Sequence, residues 1–406
     1  MVDTHAHRLF AQVSLIYLLS IIEKDPESLL RLMTAYEEAD DDSFFLEAIQ
    51  DMDSLLCYAT RFWSGHLRRA RIESFHALEW ILTKRLFDPV SHCTFFRICS
   101  MEFIFEDEDY NKYNNDDSET QPGDRLYHAS FLGFAELVEW LLQEGGDPNA
   151  SSGAPYTYPV IAAAAQGHEA VIGLLLDYGA EIDAGDIDLN GTALYWAVRH
   201  GHEATSRLLL DRGATFNVNF EHTTPLHEAA TGRHESMVRI LIQAGEDVNK
   251  QGGKYGYPLQ AAASNYGNQA IVQLLLENGA LINAEGGEYG SALQAAAGYG
   301  PYEIVRLLLQ KGADVNSKGG FYGSPLQAAA NAGNADLVRL LLESGADINA
   351  EGGKYGSALQ SAAYWGNVEV VEVLLEKGAD VNAGGGRVWL CVASSCCERE
   401  NLVVRT

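Results

Sequence analysis

The sequence predicts an all-α solenoid of stacked helix-turn-helix repeats with hairpin-like tips, preceded by a small helical domain. Three observations predict it. Residues 319–350, GGFYGSPLQAAANAGNADLVRLLLESGADINA, and residues 352–383, GGKYGSALQSAAYWGNVEVVEVLLEKGADVNA, are near copies set 33 residues apart. The same frame returns eight times between Asp124 and Ala383, with spacings of 32 to 34. A fixed period of that size marks units that cannot bury an apolar face alone and must stack on their neighbours. Within each copy, an alanine-rich run, a turn and a Val/Leu-rich run give two short helices with apolar faces.

Residues 1–105 read as a helical N-terminal domain. Apolar side chains recur at three- and four-residue intervals in Leu9–Ile22, Ser28–Tyr36, Phe44–Trp63 and Ile72–Leu86. Asp25-Pro26 opens the second of these helices, Asp40-Asp41-Asp42-Ser43 separates the second from the third, and Asp88-Pro89 ends the fourth. The run Leu9–Ile22 falls short of the ~20 residues that span a bilayer and lacks the flanks of a signal peptide, so it is expected as a core helix. Arg68-Arg69-Ala70-Arg71, a basic cluster on a predicted helix, reads as a solvated face. Residues 106–123, EDEDYNKYNNDDSETQPG, are acidic and almost free of aliphatic side chains. They are expected to be a flexible linker, because they bury too little apolar surface to offset ordering entropy.

The repeat array is expected over 124–383. Its openings are TTPLHEAA at Thr223 and the variants GTALYWAV at Gly191, GYPLQAAA at Gly256, GSALQAAA at Gly290, GSPLQAAA at Gly323 and GSALQSAA at Gly356. Ser or Thr before the helix accepts a hydrogen bond from a free backbone N–H. Pro225, Pro258 and Pro325 sit at the first helical position, where no N–H is needed. The leucine is buried, and the alanines let neighbouring short helices approach closely. Gly267, Gly333 and Gly366 mark the turn into a second helix such as Ala335–Ser344, whose Val and Leu side chains face the next repeat. Gly345 and Gly378 end those helices, and the following Asp and Asn bond nearby backbone and fix the next turn.

Residues 124–383 therefore resemble ankyrin repeats, and the motif recurs in phase throughout. The GGxYGxALQAAA form is similar to repeats of large fungal proteins in which an ankyrin array follows a NACHT-type nucleotide-binding switch. Residues 5–20 and Leu55–Arg71 resemble the helical segment between switch and array in those proteins. No GxxxxGK[ST] phosphate loop occurs in the chain, so the resemblance does not carry nucleotide-driven signalling with it.

The chain has 28 basic and 56 acidic residues, a formal net charge of −28. Residues 1–123 carry 11 basic and 23 acidic groups, and the remainder 17 and 33, so both parts are acidic. Phosphate backbones are repelled and a basic protein segment is attracted, which argues against direct nucleic-acid binding. Cys57, Cys93, Cys99, Cys391, Cys396 and Cys397 lie outside the array without the spacing of a disulfide framework. They read as reduced thiols of an intracellular protein, cytoplasmic, nuclear or both, and no metal or other cofactor is expected. No nucleophile elbow, zinc-hydrolase helix or phosphate loop is present, so the chain reads as a non-enzyme. His168, His202 and His234 recur one per repeat at the turn between helices, and His200 and His202 lack an acidic or cysteine ligand set, which makes them structural.

Candidate partner contacts are aromatic. Tyr255, Tyr289, Tyr322 and Tyr355 occupy one position of four successive tips. They form either a ladder along the binding edge or a stiffening stack, and their identity in every copy favours the stack. Positions that vary within the fixed frame are more informative: Lys254, Glu288, Phe321 and Lys354 at the x of GGxYG, and Tyr266, Tyr299, Tyr364 and Trp365 after the alanines. Phe321 and Trp365 are the strongest of these, since exposed aromatics are the usual interface anchors. After Ala383 a ninth repeat begins and is abandoned, leaving residues 384–406 as an irregular tail.

The resulting expectation is a non-enzymatic scaffold, such as a transcription coregulator holding a basic segment of a transcription factor, with no membrane association. Its alternative is a sensor fragment or decoy derived from a NACHT–ankyrin receptor. Self-association is expected through either the N-terminal helices or the uncapped last repeat.

Overall fold

The computed structural model describes residues 125–151, 156–186, 191–216, 223–264 and 267–381. The expected helical domain over 1–105, the linker over 106–123, the tail over 384–406, all six cysteines and Arg68-Arg69-Ala70-Arg71 lie outside the described residues, as does Tyr266. So do both surfaces expected to support self-association, apart from the helices of the last described repeat. The chain falls into two compact units, Met1–Trp196 and Ala197–Thr406.

In the first unit the described elements are α1 (Arg125–Leu132), α2 (Ala135–Gln143), α3 (Pro159–Ala165) and α4 (Glu169–Asp177). A two-stranded hairpin follows, β1 (Gly185–Asp186) antiparallel to β2 (Gly191–Thr192), with Gly185 opposite Thr192 and Asp186 opposite Gly191. Helix α5 covers Ala193–Arg199. The second unit continues with α6 (Glu203–Asp211), α7 (Pro225–Thr231), α8 (Glu235–Gln243), α9 (Pro258–Ala263) and α10 (Gln269–Glu277). It ends with α11 (Ala292–Tyr299), α12 (Tyr302–Gln310), α13 (Pro325–Ala332), α14 (Ala335–Glu343), α15 (Ala358–Trp365) and α16 (Val368–Glu376). Helix-turn-helix succession with almost no strand is the all-α solenoid class the periodicity predicts.

Local chemistry accounts for the helices of the later repeats. The Ser291, Ser324 and Ser357 hydroxyls accept from the backbone N–H groups of Gln294, Gln327 and Gln360 at 3.2, 3.3 and 3.3 Å, which starts α11, α13 and α15. Pro225, Pro258 and Pro325 each occupy the first helical turn. Gly333 and Gly366 stop α13 and α15 in the left-handed conformation. Ala328, Ala329 and Ala330 are completely buried, so α13 lies close against α11 and α15. Helix α14 buries Leu337, Val338 and Leu341 and leaves Asp336 in water. Each such Leu or Val contributes about 1.5–3 kcal/mol on burial. At the far end Val370, Val373 and Leu374 of α16 are buried in the same way.

Polar side chains bind one repeat to the next. Asn316 donates from its amide nitrogen to the Gly345 carbonyl at 3.1 Å and accepts from the Asp347 N–H at 2.8 Å. Asn149, Asn249 and Asn283 make the same paired contact with their following repeats. The local turn is held by the aspartate instead: Asp314 accepts from the Asn316 N–H, and Asp347 from the Asn349 N–H, at 2.9 and 3.0 Å. The motif alone places both residues in the local turn, and the asparagine belongs instead to the inter-repeat joint.

Gln327 makes a similar joint deeper in the stack. Its amide nitrogen donates to the Gly352 and Gly356 carbonyls at 3.0 and 2.6 Å. Replacing Asn316 by Ala removes two inter-repeat hydrogen bonds. The expected loss is roughly 1–3 kcal/mol, read as a lower urea midpoint with the far-UV spectrum unchanged.

Candidate partner-binding surface

The surface is built from the tips between successive helix pairs. Each GGxYG loop closes on itself through an antiparallel bridge, Gly252 with Gly256, Gly286 with Gly290, Gly319 with Gly323 and Gly352 with Gly356. The loops then pair with one another through the backbone of the variable residue. Glu288 N–H donates to the Lys254 carbonyl at 2.7 Å, Phe321 N–H to the Glu288 carbonyl at 2.7 Å, and Lys354 N–H to the Phe321 carbonyl at 3.0 Å. The position that varies in side chain is thus constant in backbone role. Lys254, Glu288, Phe321 and Lys354 are four rungs of one row.

The invariant tyrosines lie beneath that row. Tyr255, Tyr289 and Tyr322 are 7%, 8% and 3% exposed, and Tyr355 is half-buried. Tyr255 stacks on Tyr289 with centroids 5.8 Å apart, and Tyr289 meets Tyr299 edge-on at 5.5 Å. Tyr322 donates its hydroxyl to the Tyr299 hydroxyl at 2.6 Å. Burial, with Glu288 nearby, pushes the Tyr289 phenol up to about 12. Burial and the bond to Tyr299 push the Tyr322 phenol well above its usual range. Both therefore stay neutral at physiological pH and act as packing groups, Tyr322 with its polar tip satisfied by Tyr299.

Four of the candidate rings face solvent: Tyr299, Phe321, Tyr364 and Trp365, at 47%, 37%, 47% and 55% exposure. Phe321, Tyr364 and Trp365 come together through the half-buried Tyr355. Phe321 meets Tyr355 edge-on at 6.2 Å, Tyr355 meets Tyr364 at 5.1 Å and Trp365 at 6.4 Å, and Tyr364 meets Trp365 at 5.4 Å. Tyr299 joins through Tyr322, whose ring lies 5.1 Å from that of Phe321. Lys354, whose role sequence reasoning missed, places its ammonium 4.9 Å from the Phe321 centroid and 5.4 Å from that of Tyr355. The 33-residue register carried the signal, since it sets Lys354 directly after Phe321 in the row.

A separate shallow groove of ≈ 350 Å³ lies on the second helices, lined by Tyr302, Asp336, Arg339, Leu340 and Glu343. It contains none of the candidate rings. Arg339 pairs there with Asp336 at 3.1 Å and with Glu369 at 3.3 Å.

His168, His202 and His234 begin α4, α6 and α8. The His168 Nε2 lies 3.0 Å from the Phe131 carbonyl oxygen, a joint between repeats like that of Asn367 Nδ2 with the Ala330 carbonyl at 2.9 Å. Among the described residues no group of three His, Cys, Asp or Glu side chains is placed to hold a metal ion. No described helix is long and apolar enough to cross a membrane.

A family model described as ankyrin repeats (3 copies) matches residues 126–220, 183–252, 226–319 and 293–384, well over half of the chain. The chain belongs to the ankyrin-repeat family. Among solved structures, the human ASB11 ankyrin repeat domain is similar at 23% identity, over 63% of this chain and 98% of that one, with a TM-score of 0.39. A comparison with curated protein sequences gives no match. Ankyrin repeats are generally interaction modules without catalysis of their own, and they bind other proteins along the extended face their stacking creates.

Proposed function

We propose that this ankyrin-repeat chain is a regulatory adaptor, of the transcription-coregulator kind, that grips a partner protein across the tips and first helices of its last four described repeats. The clustering of Tyr299, Phe321, Tyr364 and Trp365 carries the reading. Four large rings half in water are unfavourable for an isolated surface, and they occur at positions where the repeat frame tolerates variation. Aromatic groups of this kind anchor interfaces, and truncating one costs on the order of 1–2 kcal/mol or more of binding free energy. The partner segment is basic, drawn by the net charge of −28, and a DNA-binding segment of a transcription factor fits that description. Such a complex masks or bridges the factor without contact between this chain and DNA, and it operates in the cytoplasm, the nucleus or both.

The test is affinity capture of the tagged chain from its own cells beside the Phe321→Ala/Trp365→Ala variant. A transcription factor recovered with the parent and depleted at least tenfold with the variant is the expected result. A variant that keeps every partner overturns the surface. Exclusion from the nucleus under all growth conditions overturns the coregulator role, and recovery of NACHT-type receptors assigns the decoy role in its place.

A further inference from the structure

Phe321 stands in a row whose other rungs are charged, Lys254, Glu288 and Lys354. Its ring extends the buried tyrosine column out to solvent at one point. The Lys354 ammonium lies over both Phe321 and Tyr355, and among the described residues it makes no ion pair. A cation within about 6 Å of a ring face is attracted by the ring's quadrupole, so this pair already acts as a cation seat. Lys254 lies 4.9 Å from the centroid of Tyr255, but there a single, buried ring receives it. Only at Phe321 and Tyr355 do two rings share one ammonium among the described tips, with Tyr364 and Trp365 continuing the aromatic surface from Tyr355.

Resting on the protein-binding reading above, we infer that Phe321, Tyr355 and Trp365 seat the guanidinium of an arginine in the partner's basic segment, and that Lys354 is the resident cation which this arginine displaces. A guanidinium is planar, more weakly hydrated than an ammonium and able to stack on an aromatic face, so it outcompetes the tethered lysine once the segment is held nearby. The exposed Glu288, one rung before Phe321, offers a carboxylate beside the seat. The acidic chain raises the local concentration of basic segments. An apolar side chain entering the same place meets a charged ammonium that it cannot satisfy.

The test uses the full chain with its lysines dimethylated by 13C-formaldehyde and reduction, the Lys354 signal being assigned from Lys354→Arg. Two synthetic nonapeptides serve as probes, one with a central arginine in a Gly/Ser background and one with citrulline, its neutral isostere. The Lys354 methyl signal is expected upfield of the other lysines, moving to the exposed-lysine position as the arginine peptide is added and staying in place with citrulline. Lys354→Met leaves every ring in place and is expected to tighten the arginine peptide by about 2- to 30-fold, the span of a cation–π contact from exposed to desolvated. Phe321→Leu is expected to weaken it over the same range, while Lys318→Met, an equal change of charge at the exposed Lys318, leaves it within about 2-fold. Equal binding of the two peptides, or equal effects of Lys354→Met and Lys318→Met, overturns the seat. Should that happen while Phe321→Ala/Trp365→Ala still loses its partner, the scaffold reading stands without it.

Discussion

Gly353→Ala is expected to destabilise the second unit by about 2–5 kcal/mol, whereas Gly345→Ala, also at a left-handed residue, is expected to cost only about 1–2 kcal/mol. Gly353 has φ +61, and a Cβ there would lie 2.2 Å from the Tyr322 carbonyl oxygen, 2.3 Å from its carbon and 2.6 Å from the Gly323 nitrogen. These are backbone atoms of the preceding tip, so no rotamer change relieves the contact. The two tips must separate, which breaks the Lys354 N–H bond to the Phe321 carbonyl and strains the Gln327 bonds to Gly352 and Gly356. Gly345 has φ +93 but nothing within 4 Å of the same added atom, so it isolates the conformational strain. Urea unfolding followed by circular dichroism checks the pair, scored on the transition that loses the last repeats, because a repeat array need not unfold in one step. Equal midpoints for the two variants would show that tip-to-tip contact adds nothing. The same displacement misplaces Phe321 relative to Tyr355, so Gly353→Ala is also expected to weaken partner capture.

The contrast between these glycines marks where sequence reading reaches its limit. That Gly345 ends a helix was legible from its place after ADLVRLLLES, because the constraint is local. Gly353 reads as one more turn glycine, and its actual constraint is the Tyr322 carbonyl some thirty residues earlier. Asn316 shows the same limit: its partners, Gly345 and Asp347, lie in the next repeat. Copy-to-copy comparison did better with the tyrosines, since residues repeated in every tip are those whose packing partner is also repeated, and Tyr255, Tyr289 and Tyr322 are buried against one another or against Tyr299. Variation at the next position pointed to exposed side chains and concealed a fixed backbone rung, because side-chain identity does not affect the N–H and carbonyl. The exposed rings are legible one at a time, and the convergence of Phe321, Tyr364 and Trp365 on Tyr355 is not.

Glu246→Gln is expected to stabilise the chain by roughly 3 kcal/mol at pH 8 and by close to nothing below pH 4.5. Six of the other repeats carry Ala at this place, at 180, 214, 280, 313, 346 and 379, and the first carries Gly146. Glu246 is 6% exposed, and one of its carboxylate oxygens accepts from the Leu226 N–H at 3.1 Å, in the first turn of α7. Burial raises the carboxyl from 4.5 to about 7, against the weaker opposing influence of the nearby Thr224 hydroxyl and the Leu226 N–H and with Asp247 adding to the rise. A folded-state value above the unfolded one means the folded chain holds the proton more tightly. The contribution of Glu246 is therefore fully present below 4.5 and is lost as pH rises through about 7.

His227, whose Nδ1 lies 3.0 Å from the Thr224 hydroxyl, runs the other way: burial lowers it from 6.5 to about 4. Its contribution is complete above 6.5 and lost as pH falls through about 4, so the two groups flatten each other's effect between pH 4.5 and 6.5. Glutamine keeps the shape of the side chain and its acceptor for Leu226 while removing the ionisation. Subtracting the unfolding free energy of the parent from that of Glu246→Gln at each pH cancels every distant group and leaves Glu246 with its coupling to the neighbouring His227. The difference should rise from near zero at pH 4.5 to its plateau by pH 8, leaving a variant whose own stability climbs from pH 4 to 6.5. A difference that is flat across this range would mean that Glu246 ionises as freely in the folded chain as in water, and that its burial beside α7 is relieved by solvent.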